Sequence, residues 1–172
     1  MAATDLSSPM QRAIRYGHEE VVRTLVALGE SVNCDENTDQ PIIERQVLRG
    51  NVPMVTLLVQ FGARVDVVGY RGRTPLWNAA ANNDVPMAER LLYLKASVDF
   101  QLLRDDDSDY CSANTSTPLW IAASNGHLEV LRVLLDANAN VNACHYEKTP
   151  LFVALARGHV ASAQLLAKAG RI

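Results

Sequence analysis

Five stretches of this 172-residue chain open alike and return at nearly constant spacing. TPLWIAASNGHLEVLRVLL begins at Thr117, TPLWNAAANNDVPMAERLL at Thr74 and TPLFVALARGHVASAQLL at Thr149. A weaker copy, SPMQRAIRYGHEEVVRTLV, begins at Ser8, and a degenerate one, PIIERQVLRGNVPMVTLLV, at Pro41. The starts lie 33, 33, 43 and 32 residues apart. A unit this short cannot close a core alone, so the period demands copies stacked on one another.

The residues within a unit predict two short helices. Thr117 is a good N-cap and Pro118 suits the first helical position. Leu119, Ala122 and Ala123 share one face, and Asn125-Gly126 ends the helix because glycine tolerates the left-handed conformation. Val130, Leu131, Leu134 and Leu135 form the apolar stripe of the second helix. In the first unit the stripe is Val21, Val22, Leu25 and Val26. In the third, Asn83 takes the place of the turn glycine, and Asp84 and Pro86 mark the second start. Lys95 replaces the closing glycine, so the helix end there is expected to differ. The second unit departs most, with Glu44 in its opening and Gln46 where the others carry alanine. Its first helix is expected to be irregular or unusually mobile, because a packed Gln must find a partner or cost about 1–3 kcal/mol. Its second half recovers with Met54, Val55, Leu57 and Leu58.

The TPL opening, the alanine pair, the Gly-His turn, the leucine pair and the closing Val-Asn or Val-Asp recur in register. In these motifs the chain resembles the ankyrin repeat family over almost its whole length. The resemblance implies an all-α-type repeat solenoid of stacked helix-turn-helix units joined by β-hairpin-like loops. It implies a single domain over 1–172, with units starting near 8, 41, 74, 117 and 149. An insertion over about 100–114 carries Asp105, Asp106, Asp107 and Asp109. Three readings of it stay open: a solvated excursion, a specificity loop beside the binding face, or a cation site, although the spacing of a Ca²⁺ loop is missing.

Composition narrows the function. The net charge of −3 argues against a general nucleic-acid binder, and no apolar run reaches the length of a membrane span. The start, MAATDLSSPM, lacks the basic head and apolar centre of a secretory signal. Cys34, Cys111 and Cys144 are odd in number and unrelated in spacing, which suggests free thiols. The expectation is therefore a cytoplasmic protein, with the nucleus as the alternative.

No catalytic constellation stands out, and no cofactor or metal is expected. His18, His127 and His159 share one register position after the turn glycine, which assigns them to orienting the turn. His145 has nothing at ligand spacing. Trp77 and Trp120 have two readings: packed between units with the indole N–H paired, or exposed as anchors in the groove.

A stacked array presents a concave surface suited to an unidentified protein or peptide. Carried over by register from the family, contacts fall on hairpin tips and on the exposed ends of first helices. The candidates are Arg15, Tyr16, Arg49, Tyr70, Arg71, Arg73, Asn82, Asn125, Tyr146 and Arg157. Further positions on the same two features are Asn37, Thr38, Leu48, Ala81, Asn114, Ser116, Ser124, Glu147 and Lys148. Tyr16, Arg49, Tyr70, Arg71 and Arg73 are expected to form a basic, aromatic patch over the first three units. By the same resemblance, Asn33 and Asn142 stand where an asparaginyl hydroxylase modifies hairpin asparagines. The expected function is a non-catalytic adaptor or regulatory module, monomeric, with no nucleic-acid partner and no membrane insertion. Two alternatives are the targeting part of a longer ligase- or kinase-type enzyme, and a structural element that self-associates through its uncapped last unit.

Overall fold

The computed structural model describes residues 8–33, 41–101 and 116–170. The acidic insertion, Asn37, Thr38 and Asn114 lie outside these residues. Ten α-helices among the described residues fall into five antiparallel pairs. The first helices are α1 (Pro9–Arg15), α3 (Ile42–Leu48), α5 (Pro75–Ala81), α7 (Pro118–Asn125) and α9 (Pro150–Ala156). The second helices are α2 (Glu19–Ala27), α4 (Val52–Gln60), α6 (Val85–Tyr93), α8 (Leu128–Asp136) and α10 (Val160–Ala169). Each first helix packs on the next first helix, and from α4 onward each second helix packs on the next second helix. This is the expected helical solenoid.

Helix starts follow the local chemistry. The hydroxyls of Thr74, Thr117 and Thr149 accept the backbone N–H groups of Trp77, Trp120 and Phe152 at 3.1–3.2 Å. Ser8 does the same for Gln11, whose side chain returns a bond to the Ser8 N–H, closing a capping box. Asn51 and Asp84 cap α4 and α6 by accepting from Met54 and Met87.

Two expectations about helix geometry are corrected. Helix α3 is regular and not irregular, because its polar residues find partners within the stack. Gln46 is 2% exposed, and its Oε1 accepts from Asn51 Nδ2 at 3.4 Å. Lys95 adopts φ 69° and ends α6 as its counterparts end their helices. The N–H of Ala96 reaches the Leu91 carbonyl at 2.9 Å, matching Ala63 to Leu58 and Ala139 to Leu134. The shared bond fixes the turn, and lysine accepts the left-handed strain of about 1–2 kcal/mol.

The main core runs from α3 to α10 and holds Leu76, Met87, Leu91, Leu119, Val130, Leu131, Leu134 and Leu166. A second cluster joins the first pair to the second through Met10, Ile14, Val22, Met54, Leu57 and Leu58. Val21, expected in the buried stripe of α2, is exposed, and of that stripe only Val22 is fully buried.

A row of side chains stitches the loop ends together. Asn33 Nδ2 donates to the Gly62 carbonyl at 3.3 Å. Asp66 accepts from the Ser97 N–H at 3.0 Å, and Asp99 from the Asn140 N–H at 3.0 Å. Burial raises the Asp99 carboxyl above its ordinary value of 3.8, and the Asn140 N–H opposes that rise only partly. The folded state therefore binds this proton more readily than the unfolded chain does. The Asp99 contribution grows more favourable as pH falls from neutral through the raised value toward 3.8. Asp99→Asn keeps an acceptor and removes the penalised charge. The variant should melt no lower than wild type at neutral pH, with the gap narrowing under acid; thermal melts across that range check it.

Candidate partner-binding face

The first helices are only seven or eight residues long, so their last carbonyls lack partners within the helix. The next unit supplies them. Arg49 Nη1 donates to the Arg15 carbonyl at 2.9 Å. Asn125 Nδ2 and His127 Nε2 meet the Ala81 carbonyl at 3.2 and 3.0 Å. Arg157 Nη1 and His159 Nε2 meet the Ser124 carbonyl at 3.2 and 3.1 Å. A carbonyl only accepts, so Nε2 carries the hydrogen in both histidines. His127 and His159 thus tie the turn across the unit boundary. Arg49, Asn125 and Arg157 accordingly belong to the stack as well as to its face.

The remaining candidates divide by position. Tyr16 is 63% exposed at the end of α1, and Arg15, Leu48 and Asn82 are also exposed. Ser116 and Ser124, expected on the surface, are buried. The Ser116 hydroxyl accepts from Trp77 Nε1 at 3.0 Å. Trp120 Nε1 donates to the Lys148 carbonyl at 2.7 Å. Both tryptophans therefore follow the packed reading, each indole N–H paired with the residue just before the next unit's opening threonine.

Two hairpin tips stand out. In the first, Tyr70 begins a 3₁₀ turn (Tyr70–Gly72), closed by the Gly69 N–H on the Arg73 carbonyl at 2.8 Å. Arg71 is exposed at φ 61°, and the Arg73 guanidinium lies 4.1 Å from the centre of the Trp77 ring. Arg49 and Arg73 are thus anchored on different units. The second tip is a two-residue hairpin between His145 and Lys148, with Tyr146 and Glu147 both at positive φ. Tyr146 is 66% exposed. Its ring sits 4.3 Å from His145, which meets Trp120 edge-on at 5.2 Å.

One grouping escaped the sequence reading. Arg15 and Arg49 join Arg45, Gln11, Gln46 and Ile42 around a cavity of about 70 Å³ between α1 and α3. Arg45 stands one turn before Arg49, and that i,i+4 spacing was the available signal.

The hydroxylation candidates also differ. The Asn33 amide is held by Gly62, whereas Asn142 is exposed, with its backbone N–H on Asn140 Oδ1 at 3.0 Å. Cys144 is buried and disulfide-bonded, which corrects the expectation of a free thiol there. Among the described residues no group of three His, Cys, Asp or Glu side chains is placed to hold a metal ion, and no helix is long and apolar enough to cross a membrane.

A family model described as ankyrin repeats (3 copies) matches residues 10–102 and 93–172. The chain is 34% identical over 169 residues to the Transient receptor potential cation channel subfamily A member 1 homolog of Caenorhabditis elegans, covering 97% of this chain and 13% of that protein. It is 33% identical over 104 residues to human Ankyrin repeat and SOCS box protein 3, covering 60% and 19%. The putative ankyrin repeat protein FPV014 of fowlpox virus is 30% identical, covering 76% and 28%. The chain therefore spans 13–28% of the length of these relatives. Among solved structures, the human ASB11 ankyrin repeat domain is similar at a TM-score of 0.73 and 27% identity, covering 95% of this chain and 70% of that one.

Proposed function

This chain belongs to the ankyrin repeat family, and on that premise we propose that it is a non-catalytic recognition module. Ankyrin repeat domains are protein–protein interaction modules. Here a protein or peptide partner docks on the first-helix ends and hairpin tips. The observation that carries this reading is a division among the candidate residues. Arg49 and Asn125 are tied to the preceding unit through the Arg15 and Ala81 carbonyls. Tyr16 at the end of α1, and Arg71 and Tyr146 on the hairpin tips, are exposed. A surface held rigid by its own stack loses little ordering entropy when a partner binds. Exposed Tyr and Arg are the residue types that dominate binding energy.

The test is affinity capture from separated cytoplasmic and nuclear fractions, followed by binding measurements on the purified partner. Arg71→Ala with Tyr146→Ala should weaken that partner at least about tenfold, on the order of 1.4 kcal/mol. The melting temperature should hardly move, since surface substitutions usually stay within about 0.5 kcal/mol. Arg132→Ala on α8 is the control. Equal affinity for all three proteins would remove this face from the mechanism.

The short span relative to its relatives favours a second reading. Here the chain is the recognition portion of a longer adaptor or enzyme whose other activities lie outside these 172 residues. The full-length transcript distinguishes the two.

A further inference from the structure

We propose that copies of this chain stack end to end, the first helix pair of one copy seated on the last pair of another. The inference goes beyond the recognition reading, because it concerns the two ends of the stack and not the face along it. The sequence pointed only to the last unit as a self-contact; the structure adds its counterpart on the first.

Equivalent positions differ in exposure from unit to unit, and the differences reveal which neighbour covers each position. One position of the second helices carries Val21, Met54, Met87, Val130 and Ser162. The last four are buried, whereas Val21 is 47% exposed. Ser162 is covered although no described unit follows it, so the cover comes from the unit before. Pro9 repeats the pattern: it is exposed, while Ile42, Pro75, Pro118 and Pro150 are buried. The reverse holds at the first-helix position of Ile14, Val47, Ala80, Ala123 and Leu155. The first four are buried, and Leu155 is 62% exposed. Ile14 is covered although no described unit precedes it, so here the cover comes from the unit after. Phe152 and Val160 are likewise more exposed than any of their counterparts.

The two ends of the stack are therefore unlike apolar faces. Each is one half of the interface that the units already build with one another, so a second copy supplies what each half lacks.

The polar groups match in the same register. His127 and His159 reach back to the carbonyls of Ala81 and Ser124. His18 holds the histidine position in the first unit and is exposed, and Ala156 holds the carbonyl position in the last. Asn78 likewise reaches back to Glu44. The equivalent meeting between copies brings Arg12 to Phe152, a guanidinium against an aromatic ring, which is attractive. A depression of about 330 Å³ lined by Pro9, Arg12, Ala13, Tyr16, His18 and Val21 opens on the first pair and gives the Leu155 side chain a seat. A contact between unlike faces leaves one of each kind open at the ends of the assembly, so rows grow beyond the dimer.

Sedimentation velocity of the whole chain from about 1 µM to 1 mM should show the mean mass rising past that of a dimer. Val21→Glu blocks one end and Leu155→Glu the other. Either variant alone should associate at least about tenfold more weakly than wild type. Mixed in equal amounts, the two should associate as tightly as wild type and stop at the dimer, since one open face of each kind remains. Arg132→Ala makes the same change of net charge in the middle of the stack and should associate like wild type. If either end variant melts early, Val21→Gln and Val160→Glu take their places; glutamate suits the first turn of α10. A wild-type chain that stays monomeric throughout would overturn the proposal, as would a mixture that fails to dimerise. So would association that only one end variant weakens, which would mean a face pairing with its own copy, or association that neither weakens.

Discussion

Leu134→Ala is expected to destabilise the chain by about 2–5 kcal/mol, the cost of truncating a fully enclosed leucine. Leu134 has no exposed surface and belongs to the continuous core. Its helix, α8, packs between α6 and α10, so a cavity there loosens the contacts of the fourth unit with both neighbours. In a stack held by nearest-neighbour interfaces, weakening a central unit costs more than weakening an end. Urea or thermal denaturation reads the effect directly. Leu155→Ala provides the contrast. Leu155 lies on α9 but is 62% exposed, and its loss should cost within about 0.5 kcal/mol. If the two leucines respond alike, the assignment of buried and exposed faces is wrong.

Asn78→Ala should cost about 1–3 kcal/mol, because it removes a side-chain hydrogen bond in a buried setting. Asn78 and Glu44 are both buried, and the bond between them crosses from α5 to α3. The Glu44 side chain stays buried when Asn78 is truncated, and water has little access to replace that donor. Asn82→Ala, one turn further along and exposed, should change stability by no more than about 0.5 kcal/mol. A negligible cost at Asn78 would mean that the bond does not hold the second unit to the third.

That bond explains where the sequence reading of the second unit went astray. Glu44 and Gln46 look like faults when judged against a repeat that prefers small or apolar residues there. In the stack they are met by Asn78 and Asn51. Nothing within the unit itself announces the Asn78 partner, which lies 34 residues away. Lys95 teaches the same lesson on a smaller scale: its propensity was unfavourable, but the bond closing the turn prevailed. The candidate face was legible as a set of register positions. Which of those positions the frame already uses was not legible. Arg49, Asn125 and Arg157 share their position with exposed Tyr16 and Asn82, yet all three donate to a neighbouring unit.

The period, the helix starts and the buried stripes rest on interactions spanning three or four residues. Thr117 caps its helix through the N–H of Trp120, and an apolar stripe needs only helical spacing. Such features can be read from the chain because their partners are adjacent in sequence. The grouping of Arg15, Arg45 and Arg49, the pairing of Glu44 with Asn78, and the reach of His127 to Ala81 join residues about one repeat or more apart. Those contacts depend on the distance and rotation between successive units. That geometry is set by side chains packing across every interface at once, so these contacts emerged only when the units were stacked.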